Sequence, residues 1–384
     1  MGCGASKVGD ELLPPNPYEM PGEPEFDLPM WNKYCKGKLQ GKLASKQNFN
    51  QRIRLQREVL FSPGCTADKE SLDKFEATAM AADKKMASIA SKMVWLMHSK
   101  TTLDSIVIDA NAYIGDRACA LQPGYLYDNQ SLKILISRPT KTSAKMPGIV
   151  LASPRGLNRT PIEHFAWFGK AMSSCYQAVV FNVEYRPGVP DHPLPAGLLD
   201  LLAALKYMVA MADAYSIDTS RIAIAGQSSG CTVMSPLGLE LAARGEASLV
   251  KLIFMESPLM FPDVLAPNET MSAWHRYILE VVIKEQYVAY AGGPSKWEAR
   301  LKDKDPLLHV MDASDDLLSK MPQHIIVTSE FDDFRDVNEA YATKLMKCGV
   351  LKDVVIAPGK CHIDVCGALL MKTEWMIKTY RAHL

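Results

Sequence analysis

Apolar residues in this 384-residue chain gather in short solid runs between polar stretches. Arg221-Ile222-Ala223-Ile224-Ala225 is one; Gly148 to Ser153, Ala178 to Val183, Leu249 to Met255, His324 to Thr328 and Val354 to Ala357 are others. Bounded apolar runs of this length predict strands buried on both faces. Ile106-Val107-Ile108 and Leu132 to Ile136 predict two more strands. Leu198 to Ala214 and Val233 to Leu241 predict helices between them. Strands alternating with helices imply an α/β fold, with a mainly parallel sheet covered by helices. Upstream, Leu72, Phe75, Ala79, Ala82, Met86, Ile89, Met93 and Leu96 recur every three or four residues. Asp68 to His98 is therefore an expected amphipathic helix with one apolar face. It reads either as a packing helix or as part of a cap over a site.

The first sixty residues follow neither period. Pro14, Pro15, Pro17, Pro21, Pro24 and Pro29 exclude regular helix or central strand and predict an extended spacer. Lys33, Lys36, Lys38, Lys42, Lys46, Arg52, Arg54 and Arg57 then follow with no acidic residue among them. Ahead of both, Met1-Gly2-Cys3-Gly4-Ala5-Ser6-Lys7 fits an N-myristoylation signal on Gly2, with Cys3 placed for a palmitoyl chain. One myristoyl chain anchors only marginally, so a second chain or a basic patch is the physical complement. These features predict residues 1–60 as a lipidated, flexible arm on the cytoplasmic face of a membrane. The basic segment is equally readable as a solvated stretch whose charges balance acids elsewhere.

Composition narrows the rest. Apolar residues make up 48% and charged ones 22%, the profile of a globular protein with a large core. Formal net charge is zero, so nucleic acid is not an expected partner. No apolar run reaches 18 residues, and the first thirty residues lack the apolar core of a signal peptide. Of nine cysteines at scattered positions, most read as reduced cytosolic thiols, many of them buried.

The chemistry-bearing residues sit at the ends of the apolar runs. Gly226-Gln227-Ser228-Ser229-Gly230 links a predicted strand to a predicted helix, the Gly-x-Ser-x-Gly nucleophile elbow. Its tight turn leaves no room for a Cβ at the glycines and presents Ser228 beside a helix N-terminus. A serine hydroxyl needs a base, and the base an orienting acid. Asp332 follows the run Ile325 to Thr328, with Asp336 in reserve. His362 follows the run at Val354 to Ala357, within Gly359-Lys360-Cys361-His362. His98, His164, His192, His275, His309, His324 and His383 lack that placement. The order Ser228, Asp332, His362 predicts a catalytic triad. The stretch from Cys361 to Cys366 brings soft ligands close together, but His362 has the stronger role, and no metal or organic cofactor is expected.

Tyr185-Arg186, Asp191-His192-Pro193-Leu194-Pro195-Ala196, the serine motif, Asp332 to Asp336 and Gly359 to His362 appear in one order. Together they resemble the hormone-sensitive lipase-like family of α/β-hydrolases, over roughly residues 70 to 384. The resemblance implies the α/β-hydrolase fold over residues 61–384, with a helical cap at about 66–100. It also implies carboxylic-ester hydrolysis through an acyl-serine. Where the family has His-Gly-Gly-Gly, this chain has Ser153-Pro154-Arg155-Gly156. Pro154 has no N–H, which leaves Ser229, Arg155 and Gly156 as expected oxyanion donors. Gln227 replaces the family's usual acid.

Two readings follow for partners. The first is a hydrolase of small-molecule or lipid esters, or of acyl-protein thioesters, held at a membrane by its acyl chains and basic segment. The second is a catalytically impaired protein that binds a small molecule in the same pocket. Arg155 adds a further expectation, a cation at the mouth favouring anionic substrates; its alternative is a structural pairing with a carboxylate. Cys231 reads as a packing residue. Trp274, Tyr287, Tyr290 and Trp297 line either an acyl pocket or the core. Ala382-His383-Leu384 loosely fits a peroxisomal ending.

Overall fold

The computed structural model describes residues 101–140, 144–157, 160–188, 192–260, 284–332 and 334–362. The arm at 1–60, the cap helix at about 66–100, Trp274, Cys366 and the chain's last three residues lie outside them.

The solid apolar runs become the middle of one sheet. In chain order the elements are β1 (Thr101–Ile108), α1 (Asn111–Ile114), β2 (Ala118–Cys119), β3 (Gln122–Leu126), β4 (Leu132–Pro139) and β5 (Met146–Ala152). After these come α2 (Ala166–Tyr176), β6 (Val179–Val183), α3 (Ala196–Ala210), β7 (Ile217–Gln227), α4 (Ser229–Ala243) and β8 (Leu252–Glu256). The remainder is α5 (Lys284–Ala291), α6 (Pro294–Lys302), α7 (Asp315–Leu318), β9 (Gln323–Phe331), α8 (Arg335–Lys347) and β10 (Leu351–Cys361). Among the described residues eight strands form a sheet in the order β1-β4-β6-β5-β7-β8-β9-β10. The pairs β1/β4 and β4/β6 are antiparallel, and every later pair is parallel. β2 and β3 form a separate hairpin.

Burial explains which strands read as solid runs. β5, β6 and β8 are buried at every position, as strands covered on both faces must be. β1 and β10 lie at the edges, and both alternate between more and less exposed positions. One apolar layer joins the sheet to α3 and α4; the other joins it to α2. Phe181 and Phe254 are almost wholly enclosed, and such a side chain contributes roughly 1.5–3 kcal/mol on burial.

Several boundaries differ from the sequence reading, three of them next to the candidate elbow. β7 starts at Ile217, not Arg221: Ile217 pairs with Met146, and the register then shifts across Asp218-Thr219-Ser220 before the apolar run. α4 starts at Ser229, not Val233, because the turn at Ser228 leads straight into helix. The run at 249 breaks into a short 3-10 turn at Ala247–Leu249, with β8 beginning only at Leu252.

Two buried carboxylates hold the loops around this sheet. Asp200 on α3 accepts from Tyr127 Oη at 2.8 Å, Asn129 Nδ2 at 2.9 Å, Arg186 N at 2.8 Å and Arg186 Nη2 at 2.9 Å. Arg186 of the Tyr-Arg run thus neutralises an otherwise costly buried charge. Glu240 on α4 accepts from Ala120 N, Leu121 N and Arg244 Nε, fastening the β2–β3 hairpin to the helix. Tyr287, Tyr290 and Trp297 pack into the core. Among the described residues no helix is long and apolar enough to cross a membrane.

Candidate active site

The site begins with a backbone that only this turn permits. Ser228 has φ 49° and ψ −124°, a positive φ that a residue bearing a Cβ adopts only under constraint. Its N–H donates to Glu256 O at 3.1 Å, and its carbonyl accepts from Cys231 N at 2.9 Å. The flanking glycines are steric necessities. A Cβ on Gly230 would lie 2.0 Å from Ala152 O, and one on Gly226 would lie 2.5 Å from Met234 Sδ. At Gly230 the obstacle is backbone, so α4 and the end of β5 approach too closely there for any side chain.

His362 lies directly beyond β10, and Asp332 directly beyond β9. Ser228 Oγ is 2.8 Å from His362 Nε2, and His362 Nδ1 is 2.9 Å from Asp332 Oδ1. Asp332 is buried, and its Oδ1 also accepts from Phe334 N at 2.9 Å. That turn fixes the carboxylate just ahead of α8. The Phe334 ring packs on the imidazole, with centroids 5.3 Å apart. Asp332 is the acid that reaches the imidazole. A proton on Nδ1, donated to Asp332, leaves Nε2 free to accept from Ser228 Oγ.

The loop after β5 departs from the sequence expectation at Gly156 and at Arg155. Gly156 N–H donates to Ser229 Oγ at 2.7 Å, so it fastens the loop to the elbow and is not held open for an oxyanion. The Arg155 guanidinium is buried and does not stand at the mouth of the site. It donates from Nε to Thr160 O at 2.7 Å and from Nη1 to Tyr185 O at 2.5 Å, and lies 3.9 Å from Glu184. It also sits 5.2 Å from the centroid of the Tyr185 ring. Selection for anionic substrates by this guanidinium is thereby corrected: its donors are committed to the fold. Ser229 N–H stands first among the orphan donors at the start of α4, whereas the Arg155 backbone N–H is turned to the Tyr185 phenol oxygen.

Sequence reasoning missed what braces this loop. Ser153 Oγ donates to Asn182 Oδ1 at 2.6 Å, and Tyr185 Oη donates to Ser153 O at 2.7 Å. Burial pushes the Tyr185 phenol up to about 12 despite the nearby Arg155, so it remains a donor. Cys231 is fully buried, and burial pushes its thiol well above the ordinary range, which fits a packing residue. Among the described residues no group of three or more His, Cys, Asp or Glu side chains is arranged for a metal ion.

The profile of a family described as having the alpha/beta hydrolase fold matches residues 161–364, more than half the chain and all three of Ser228, Asp332 and His362. The chain belongs to this family. Carboxylesterase NlhH of Mycobacterium tuberculosis is 31% identical over 198 residues, covering 51% of this chain and 59% of that enzyme. An arylesterase of Saccharolobus solfataricus is 29% identical over 183 residues, covering 47% of this chain and 56% of the relative. The matches thus span little more than half the length of these curated relatives. Among solved structures, bacterial heroin esterase superposes with a TM-score of 0.61 at 22% identity, covering 79% of this chain and 91% of the other. Esterase Est22 gives 0.61 at 20% identity, covering 86% and 95%. At these identities the likeness concerns the fold.

Removing the Arg155 side chain leaves two carbonyls beneath the loop without their donors. Arg155→Ala is expected to lower the free energy of unfolding by about 2–4 kcal/mol, read from urea denaturation. A stability equal to the parent's would show that these contacts carry no weight.

Proposed function

We propose that this chain is a carboxylic-ester hydrolase that works through an acyl-Ser228 intermediate. The observation that carries the reading is the continuous relay from Ser228 Oγ through His362 to buried Asp332, at 2.8 and 2.9 Å. His362 Nε2 takes the serine proton as Oγ attacks the ester carbonyl. Asp332 holds the imidazole and stabilises the imidazolium that forms. The oxyanion is received by the N–H of Ser229, aided by the dipole of α4. His362 then protonates the departing alcohol. In the second half it activates water to release the acid. The curated relatives named carboxylesterase and arylesterase support this class of reaction.

The finer proposal concerns place and substrate. Acylation of Gly2 and Cys3, with the basic segment Lys33 to Arg57, would hold the enzyme at a cytoplasmic membrane face. A tethered site gains proximity to membrane-borne esters, either lipid esters or acyl-protein thioesters. The second reading, a small-molecule binder with impaired catalysis, draws support from the missing N–H at Pro154 and the committed N–H of Gly156. One lost oxyanion donor costs about 10²–10³ in rate.

A fluorophosphonate probe separates the two readings. The hydrolase reading expects covalent labelling that Ser228→Ala abolishes. A folded parent protein that resists the probe would support the binder instead. For the anchor, Gly2→Ala is expected to move the protein from the membrane to the soluble fraction of a cell lysate, and unchanged partitioning would remove that part of the proposal.

A further inference from the structure

Glu256 ends β8 directly beside the elbow, and the reaction outlined above does not use its side chain. It is 1% exposed, as is Gln227, its register partner on β7. Gln227 Nε2 donates to Glu256 Oε2 at 3.4 Å. The two remaining oxygens, Gln227 Oε1 and Glu256 Oε1, are both buried with no hydrogen-bond partner among the described residues. A carboxylate here would leave both of these buried acceptors without a donor. A carboxylic acid supplies the missing proton: its O–H donates to Gln227 Oε1 while the amide N–H donates back. The same residue's backbone carbonyl accepts from Ser228 N–H at 3.1 Å and from Cys231 Sγ at 3.8 Å.

We propose that Glu256 is held as the neutral acid, closes a two-way pair with Gln227, and so acts as a positioning residue for Ser228. The positioning role rests on the hydrolase reading above; the protonation state does not. The surroundings agree. Burial raises the Glu256 carboxyl well above its ordinary range, and among the described residues no charged group offsets this. The titratable groups facing this corner are few. Cys231 comes from α4, where burial holds its thiol well above the ordinary range and hence neutral. Asp332 stands beyond β9 and is already committed to His362. The register partner on β9 is Val327, which is apolar.

The sign of the pH effect follows. The unfolded chain releases the Glu256 proton above about pH 4.5, whereas the folded chain keeps it. Stability owed to this group is therefore whole in acid and lost as pH rises from that point towards the folded value. Glu256→Gln preserves the shape and the two-way pairing but has no proton to lose. The test compares urea unfolding of the full chain and of E256Q across this range. The ratio of their unfolding constants is expected to move in favour of E256Q by about tenfold per pH unit. A ratio that does not change with pH would overturn the neutral acid. Positioning is read separately, from the rate of fluorophosphonate labelling of Ser228. Glu256→Ala is expected to slow it about tenfold or more, with E256Q back within about twofold of the parent. Labelling of Glu256→Ala at the parent rate, or of E256Q as slowly as Glu256→Ala, would overturn the positioning role. A parent that does not label at all would defeat the hydrolase reading, while the unfolding comparison still decides the protonation state.

Discussion

The structure depends on one strained residue held where three elements converge. Ser228 has a positive φ between the end of β7 and the start of α4. Such a conformation costs of order 1–3 kcal/mol and persists only when its surroundings over-determine it. Here they do. Glu256 O holds the serine N–H, and Gly230 lies against Ala152 O with no space for a side chain. The loop after β5 is fastened from above by the bond from Gly156 to Ser229. The same turn that creates the strain directs Oγ towards His362 and leaves the first N–H groups of α4 without helical partners.

Support for that turn reaches far into the fold. β5 supplies Ala152, β8 supplies Glu256, and β9 and β10 end beside it with Asp332 and His362. Four parallel strands thus bring their carboxyl ends to one rim, the edge where ligands meet open α/β sheets. Arg186 and Asp200, Arg155 and Tyr185, and Ser153 and Asn182 brace the surrounding loops. None of these need touch a substrate. Their work is to keep the relay from Ser228 to Asp332 within hydrogen-bond distance.

Much of this was legible in the sequence because interior strands must be apolar on both faces. The runs at 148, 178, 221 and 324 read as strands for that reason, and the candidate residues stood where the runs stop. Asp332 and His362 were readable by their order after Ser228. Other features left no such trace. Asp218-Thr219-Ser220 is polar, yet it belongs to β7, across a shift of register and with Ser220 N–H donating to Asp218 Oδ1. Arg155 looks like a surface cation beside a site, yet its donors meet carbonyls that become neighbours only when the chain folds. Glu256 looks like the polar stop after an apolar run. Its significance lies in a cross-strand neighbour 29 residues away, which periodicity does not reveal.

The central claim is that Ser228, driven by His362, carries the acyl group. Mass spectrometry of the protein quenched in acid during turnover of a p-nitrophenyl ester tests this most directly. The account predicts an added acyl mass on the peptide containing Ser228, which disappears once the substrate is consumed. Turnover with no acyl group on that peptide, or with the group on another residue, would contradict it.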